Sequence, residues 1–234
     1  MCETTSSSLP HAIISRSALS AAASAAVRAG GTVADLRRDA WGHGVLAVAQ
    51  AVVAAGAGSV LVDAPGEVEA LRLEGITAAT TGRPDMDSSV LYGLPDESGV
   101  VATRPVMRLT GHVMSIKRLQ PGDAVSYGYT FRAAEETSVA LVTGGYAQGI
   151  ARALGNKAAV EIDGVAMPIV GRVAMDVCVV DVGNSDTQIG AEATYFGGEG
   201  PAMAGLSRWA AVTGMKPAEL ITVAGTHAVR RWES

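Results

Sequence analysis

The sequence predicts two architectures in succession, a parallel α/β segment and then a domain of short β-strands. Three observations predict it. First, an apolar strand at 33–36 runs into the polar, glycine-punctuated turn Arg37-Arg38-Asp39-Ala40-Trp41-Gly42-His43-Gly44, from which an Ala/Val-rich helix leaves. Such a βα corner is where parallel α/β folds place their chemistry. Second, another strand and helix follow at 59–74, which makes two consecutive βα units, the opening of a parallel sheet or barrel. Third, from Pro105 onward the texture changes to short alternating apolar runs separated by Gly, Asp and Asn.

Each element has a local reason. Residues 1–8 are polar and serine-rich and are expected to fray. Ser17 is suited to cap a helix over about 18–28, which Gly30-Gly31 stops. The corner then delivers a helix at about 44–55. Residues 45–62 carry almost no charge, but Gln50, Ser59 and Gly56-Ala57-Gly58 interrupt them, so they read as a buried helix plus a buried strand and not as a membrane span. Gly56-Ala57-Gly58 precedes its strand, which also removes it as a dinucleotide-binding turn. The strand at 59–63 enters Pro65-Gly66-Glu67, and the helix to Glu74 has the proline and acidic residues that suit a first turn. Residues 77–89 are rich in Thr, Asp and Pro and leave little room for further βα units. Beyond Pro105, strands are expected at 107–119, 139–142, 158–162 and 177–182. The turns include Gln120-Pro121-Gly122-Asp123 and Ile162-Asp163-Gly164-Val165, and Asp-Gly in the second is a hairpin signal. Short helices are expected at 206–213 and 217–223. The boundary falls within 95–104.

Composition limits the functional classes. Hydrophobic residues make up 48% and charged residues 18%, enough to bury a sizeable core. The formal charge is −5 without a basic block, so the electrostatic footprint of a nucleic-acid binder is missing. Cys2 and Cys178 form neither a disulfide framework nor a metal-ligand spacing, and a reducing cytoplasm is the expected compartment. There is no basic leader ahead of an apolar run, no P-loop and no metal cluster, so no membrane partner or metal is expected.

The motifs carry a more specific message. The corner resembles the cofactor-attachment motif of the alanine racemase family, Lys-Ala-Asp-Ala-Tyr-Gly-His-Gly, with Arg37 at the lysine and Trp41 at the tyrosine. Val90-Leu91-Tyr92-Gly93-Leu94 resembles the family's ALYGL, and Pro105-Val106-Met107-Arg108-Leu109 the opening of its C-terminal β domain. Val125-Ser126-Tyr127-Gly128-Tyr129-Thr130 is similar to VSYGxTY, and Gly145-Tyr146-Ala147-Gln148-Gly149 to GYADG, with Gln148 at the aspartate. Pro168-Ile169-Val170-Gly171-Arg172-Val173-Ala174-Met175-Asp176 is similar to PIVGRVCMD. These motifs follow the family's order over about 90–183.

The resemblance implies a truncated TIM-like βα segment over 1–98 and a C-terminal β-barrel domain over 99–234. It implies a pyridoxal phosphate enzyme in which a lysine and a tyrosine exchange the α-proton of alanine across a dimer interface. Tyr127 would be the tyrosine base, Met175 and Tyr146 would contact the substrate amino acid, and Arg37 and Trp41 would stand at cofactor-binding positions. Arg37 cannot form the Schiff base, because a guanidinium stays protonated. The chain's lysines, Lys117, Lys157 and Lys216, all lie away from the corner. Ala218 falls near the family's late phosphate-binding tyrosine, and several βα units between 76 and 90 are absent.

The leading expectation is therefore a family member degenerate for pyridoxal phosphate catalysis. It would form a homodimer, or a heterodimer with a full-length racemase. Two alternatives stay open. One is an active amino-acid racemase; the other is an amino-acid binding module that uses Arg37 and Arg38 without chemistry. Structural readings also stand beside the functional ones: Tyr127 and Met175 as packing residues, Asp39 and His43 as a turn-stabilising pair, and Tyr146 and Arg152 as closing a loop.

Overall fold

A computed structural model of the chain describes residues 9–234, so the expected fraying of residues 1–8 lies outside the described residues. The chain forms two compact units. One is built from residues 12–108, 216–226 and 230–234, the other from 109–215 with 227–229 and the described residues before Ala12.

The βα unit follows from its sequence with one shift. Strand β1 (His11–Ser15) leads directly into helix α1 (Arg16–Arg28), and the cap is Ser15 in place of the expected Ser17. Ser15 ends an extended strand, so its backbone already has cap geometry, and its Oγ accepts the Ala18 N–H at 3.3 Å. Strand β2 (Val33–Asp35) enters α2 (Arg37–Trp41), a left-handed turn, and then helix α3 (Val45–Ala54). Strand β3 (Ser59–Leu61), helix α4 (Pro65–Leu73), strand β4 (Ala78–Ala79) and helix α5 (Ser88–Tyr92) complete the run. The Glu67 carboxylate accepts the N–H groups of Asp63 and Ala64 at 3.0 and 2.9 Å and so fastens the start of α4. Leu36, Val48, Val52, Val60, Leu71 and Leu91 are buried, which makes residues 45–62 the helix and strand expected of them.

Strands β2, β3 and β4 make a parallel sheet in that order, with Ala34 opposite Val60 and Val60 opposite Ala78. The free edge of β2 does not stay open. Asp85 Oδ1 accepts the N–H groups of Thr32 and Val33 at 2.7 and 2.6 Å, and Oδ2 accepts the Thr32 hydroxyl at 2.6 Å. The N–H groups of Asp85 and Met86 donate to the Val33 carbonyl, and the Tyr92 hydroxyl donates to the Asp35 carbonyl at 3.2 Å. The segment that follows β4 thus returns to satisfy the backbone that a neighbouring barrel strand would have paired.

The second unit is a six-stranded antiparallel barrel. Strand β5 (Met107–Leu119) enters it, followed by the short pair β6 (Ala124–Val125) and β7 (Phe131–Arg132) and then β8 (Thr137–Thr143). Strands β9 (Ala159–Ile162), β10 (Val165–Val170), β11 (Val177–Asp181) and β12 (Glu192–Phe196) complete it. The order is β12-β9-β10-β11-β8-β5, and pairing of β12 with β5, Ala193 opposite Gly111, closes the ring. The Asp163-Gly164 hairpin is present: both residues have positive φ, 51° and 76°, as a two-residue type I′ turn requires. Strands β10 and β12 fall in stretches for which no strand was given, because β10 is an apolar run without alternation that carries Pro168, and β12 is only five residues long. Leu119, Ala133, Val139 and Val170 form a buried cluster in this unit, flanked by Val125, Phe131 and Val179.

Helix α6 (Gly205–Thr213) packs on β12, and the chain then returns to the βα unit with α7 (Pro217–His227) and β13 (Val229–Glu233), which pairs with β1. Among the described residues no helix is long and apolar enough to cross a membrane.

Candidate functional site

The predicted site residues fall into two groups, one in each unit. The first group is the corner. Arg38, Asp39, Ala40 and Trp41 all have φ between 51° and 56°, so four successive non-glycine residues are left-handed. Each costs roughly 1–2 kcal/mol relative to a right-handed turn, and such strain persists only where the surroundings over-determine it. Here they do. The Ala40 N–H donates to the Leu36 carbonyl at 2.8 Å and the Gly42 N–H to the Arg38 carbonyl at 3.0 Å. The Arg38 N–H donates to the Asp63 carboxylate. Asp39 accepts the Val45 N–H at 2.8 Å, at the start of α3, and forms an ion pair with Arg230. Arg230 in turn donates to the Gly42 carbonyl at 3.1 Å. Gly42 is required for space as well as for its φ of 81°, since a Cβ there would lie 2.7 Å from the Gly225 Cα.

Two aromatic stacks back the corner. Tyr92 stacks with Trp41, at 5.1 Å between ring centroids, and with His43, at 4.4 Å. His43 is fully buried; its Nδ1–H donates to the Ala40 carbonyl at 2.9 Å, which fixes the tautomer, while Nε2 has no partner. Burial pushes its pKa down to about 4, so the ring is neutral at physiological pH. Asp39 and His43 serve the same turn through different partners, Asp39 through Arg230 and Val45, His43 through Ala40 and Tyr92.

Arg37 is engaged on the strand side. Its Nε and Nη2 donate to the two oxygens of Asp35 at 2.7 and 2.6 Å, a two-point pair that suits a planar guanidinium. Partial burial alone would raise the Asp35 carboxyl, but the bonds and charge of Arg37 outweigh it and hold Asp35 below its usual range. The hydrogen bonds that Arg37 donates to Asp35 raise Arg37 correspondingly. Among the described residues no lysine stands at the corner, and Lys117, Lys157 and Lys216 belong to other segments. The residues present therefore do not fit a covalently attached pyridoxal phosphate. Asp35 was not singled out from the sequence, although its spacing two residues before Arg37 is the signal that could have found it.

The second group lies in the barrel unit. Tyr127, Tyr146 and Met175 line one open groove of about 500 Å³ with Arg152, Val173 and Asp176. All three predicted residues are exposed, Tyr127 the most at 73%. The groove is built from loops that bind one another. The Tyr146 N–H donates to the Ala174 carbonyl at 2.9 Å and the Ala147 N–H to the Met175 carbonyl at 3.0 Å. Gln148 ties the same two loops, accepting the Gly145 N–H and donating to Asp176, both at 2.9 Å. Gly145 must be glycine, because a Cβ there would lie 2.3 Å from the Met175 carbonyl oxygen. Tyr127 sits in the turn between β6 and β7, where the Ser126 hydroxyl accepts the Arg172 N–H at 2.7 Å. The Arg152 guanidinium lies 5.4 Å from the centre of the Tyr146 ring and adds a fixed positive charge to the groove. Among the described residues no cluster of His, Cys, Asp and Glu could hold a metal ion.

Comparison with known proteins agrees with these motifs. The family model for the alanine racemase C-terminal domain matches residues 106–232. An alanine racemase of Mycobacterium avium is 36% identical over 156 residues, 62% of this chain and 40% of that protein. One of Desulfovibrio desulfuricans is 42% identical over 113 residues, 47% of this chain and 30% of that protein. The chain thus spans less than half the length of these curated relatives. In overall fold it is similar to the alanine racemase of Streptomyces coelicolor A3(2), with a TM-score of 0.82 at 21% identity, covering 98% of this chain and 99% of that one. It is also similar to the alanine racemase of Bartonella henselae solved with covalently bound pyridoxal phosphate, with a TM-score of 0.77 at 17% identity, covering 96% and 99%.

Proposed function

This chain belongs to the alanine racemase family, and from that premise we propose that it is a dimer-forming subunit that has given up covalent pyridoxal phosphate chemistry at its own corner. The observation that carries this reading is the pairing of Arg37 with Asp35 where the family motif has its lysine. The barrel groove supports the second half of it: Tyr127, Tyr146 and Met175 still share one exposed, loop-braced surface. A groove of that kind is suited to be offered to a partner, either another copy or a full-length racemase that supplies its own lysine corner. Tyr127 would then be the chain's contribution to proton exchange in the partner's site. The engaged Arg37 also weighs against a stand-alone amino-acid binder that relies on Arg37 and Arg38.

The test has two arms. The purified chain is mixed with pyridoxal phosphate and dialysed, and its absorbance is read before any borohydride is added. No retained chromophore is expected. A chromophore that survives dialysis unreduced would overturn the reading; adducts that borohydride fixes on the exposed Lys117, Lys157 and Lys216 would not. The chain is also co-expressed with a full-length racemase and the mass of the complex is measured. A homodimer or a mixed dimer is expected, and separate monomers would sink the subunit role.

A further inference from the structure

Replacing a lysine with Arg37 would, taken alone, suggest a simple remedy: put the lysine back. The geometry at the end of β2 argues otherwise. The two Asp35 carboxylate oxygens face the two guanidinium nitrogens at 2.7 and 2.6 Å. One of those oxygens also accepts the Arg37 backbone N–H at 3.2 Å. The carboxylate therefore makes one of its three bonds to the backbone of residue 37, and that bond does not depend on the side chain there. It is also the more sheltered partner, with its side chain 13% exposed against 45% for Arg37, and sheltered charges attract more strongly than fully solvated ones.

We propose that Asp35 is a second lock on the corner: it holds the cation at residue 37 protonated and turned toward β2, so that two residues, not one, bar covalent attachment of a carbonyl cofactor. The inference rests on the reading above that this corner does not carry pyridoxal phosphate. An amine joins an aldehyde only by giving its lone pair to the carbonyl carbon, after which water leaves; an ammonium has no lone pair to give. A carboxylate within hydrogen-bond reach favours the ammonium. The same attraction already acts on the native pair, where Asp35 raises Arg37.

The experiment compares the unsubstituted chain, Arg37→Lys, Asp35→Asn with Arg37→Lys, and Asp35→Ala with Arg37→Lys. Asn keeps an oxygen for the Arg37 backbone N–H, so the first double variant removes charge with the least damage; the Ala variant serves if the Asn variant does not fold. Each is incubated with pyridoxal phosphate, reduced with borohydride and mapped by mass spectrometry. Lys117, Lys157 and Lys216 are all exposed and act as internal references. In Arg37→Lys, residue 37 should label about tenfold less than the references, and removing the carboxylate should recover that factor, which corresponds to one pKa unit. Equal labelling of residue 37 with and without Asp35, at any level, would overturn the second lock. A chromophore retained by the unsubstituted chain through dialysis without borohydride would instead overturn the proposed function, and the comparison of residue 37 labelling with and without Asp35 would still decide the role of Asp35.

Discussion

At the scale of single residues, two positions make quantitative demands. His43 is buried as the neutral ring with a pKa near 4, whereas in the unfolded chain it titrates near 6.5. Between those values the unfolded chain binds the extra proton, so stability falls as pH drops from about 6.5 to about 4. The loss is on the order of 3 kcal/mol from this group. Urea unfolding across that window should show the slope, and His43→Gln should flatten it even where it lowers stability at neutral pH. An unchanged slope in the variant would place the titration elsewhere. Gly145 makes a steric demand: its absent side chain admits the Met175 carbonyl. Gly145→Ala should cost about 1–3 kcal/mol, the usual range for overpacking, and should separate the Tyr146 loop from the Met175 loop. Loss of amide protection at Tyr146 and Ala147 would report the separation, and a variant of native stability and protection would contradict it.

Among the elements, the returning segment 85–92 makes the clearest prediction. Asp85 binds both N–H groups and the hydroxyl at Thr32 and Val33, and those bonds hold its carboxyl below the usual range. Asp85→Ala should therefore release the edge of β2 selectively. Hydrogen exchange should quicken at Thr32 and Val33 and stay unchanged at Val142 and Val179 in the barrel. Uniform quickening everywhere would mean that the segment merely contributes to global stability. The same comparison bears on partners, because a sealed β2 edge is closed to strand addition, and the short β4, only Ala78–Ala79, offers little template on the other side.

For the whole molecule, the βα unit and the barrel unit were legible in unequal measure. The corner, α3, β3, α4, the long β5 and the Asp163-Gly164 hairpin follow from local rules of apolar period, glycine placement and turn chemistry. The motifs around Tyr127, Tyr146 and Met175 were legible through the resemblance to the family, and all three residues line one groove. Strands β1, β12 and β13 were not expected, because they pair with partners distant in sequence, β13 with β1 for instance, and β10 was implied only by the hairpin signal that precedes it. What the sequence by itself determined is the family, the two-part architecture and the absence of a lysine at the corner, since these depend only on which residues occur and in what order. What the tertiary structure alone decided is where the freed polar groups went. Asp35 claims Arg37, Asp85 seals β2, and Arg230 reaches back across the chain to Asp39. Hydrogen-bond satisfaction is a property of neighbours in space, and a linear pattern does not specify which neighbour arrives.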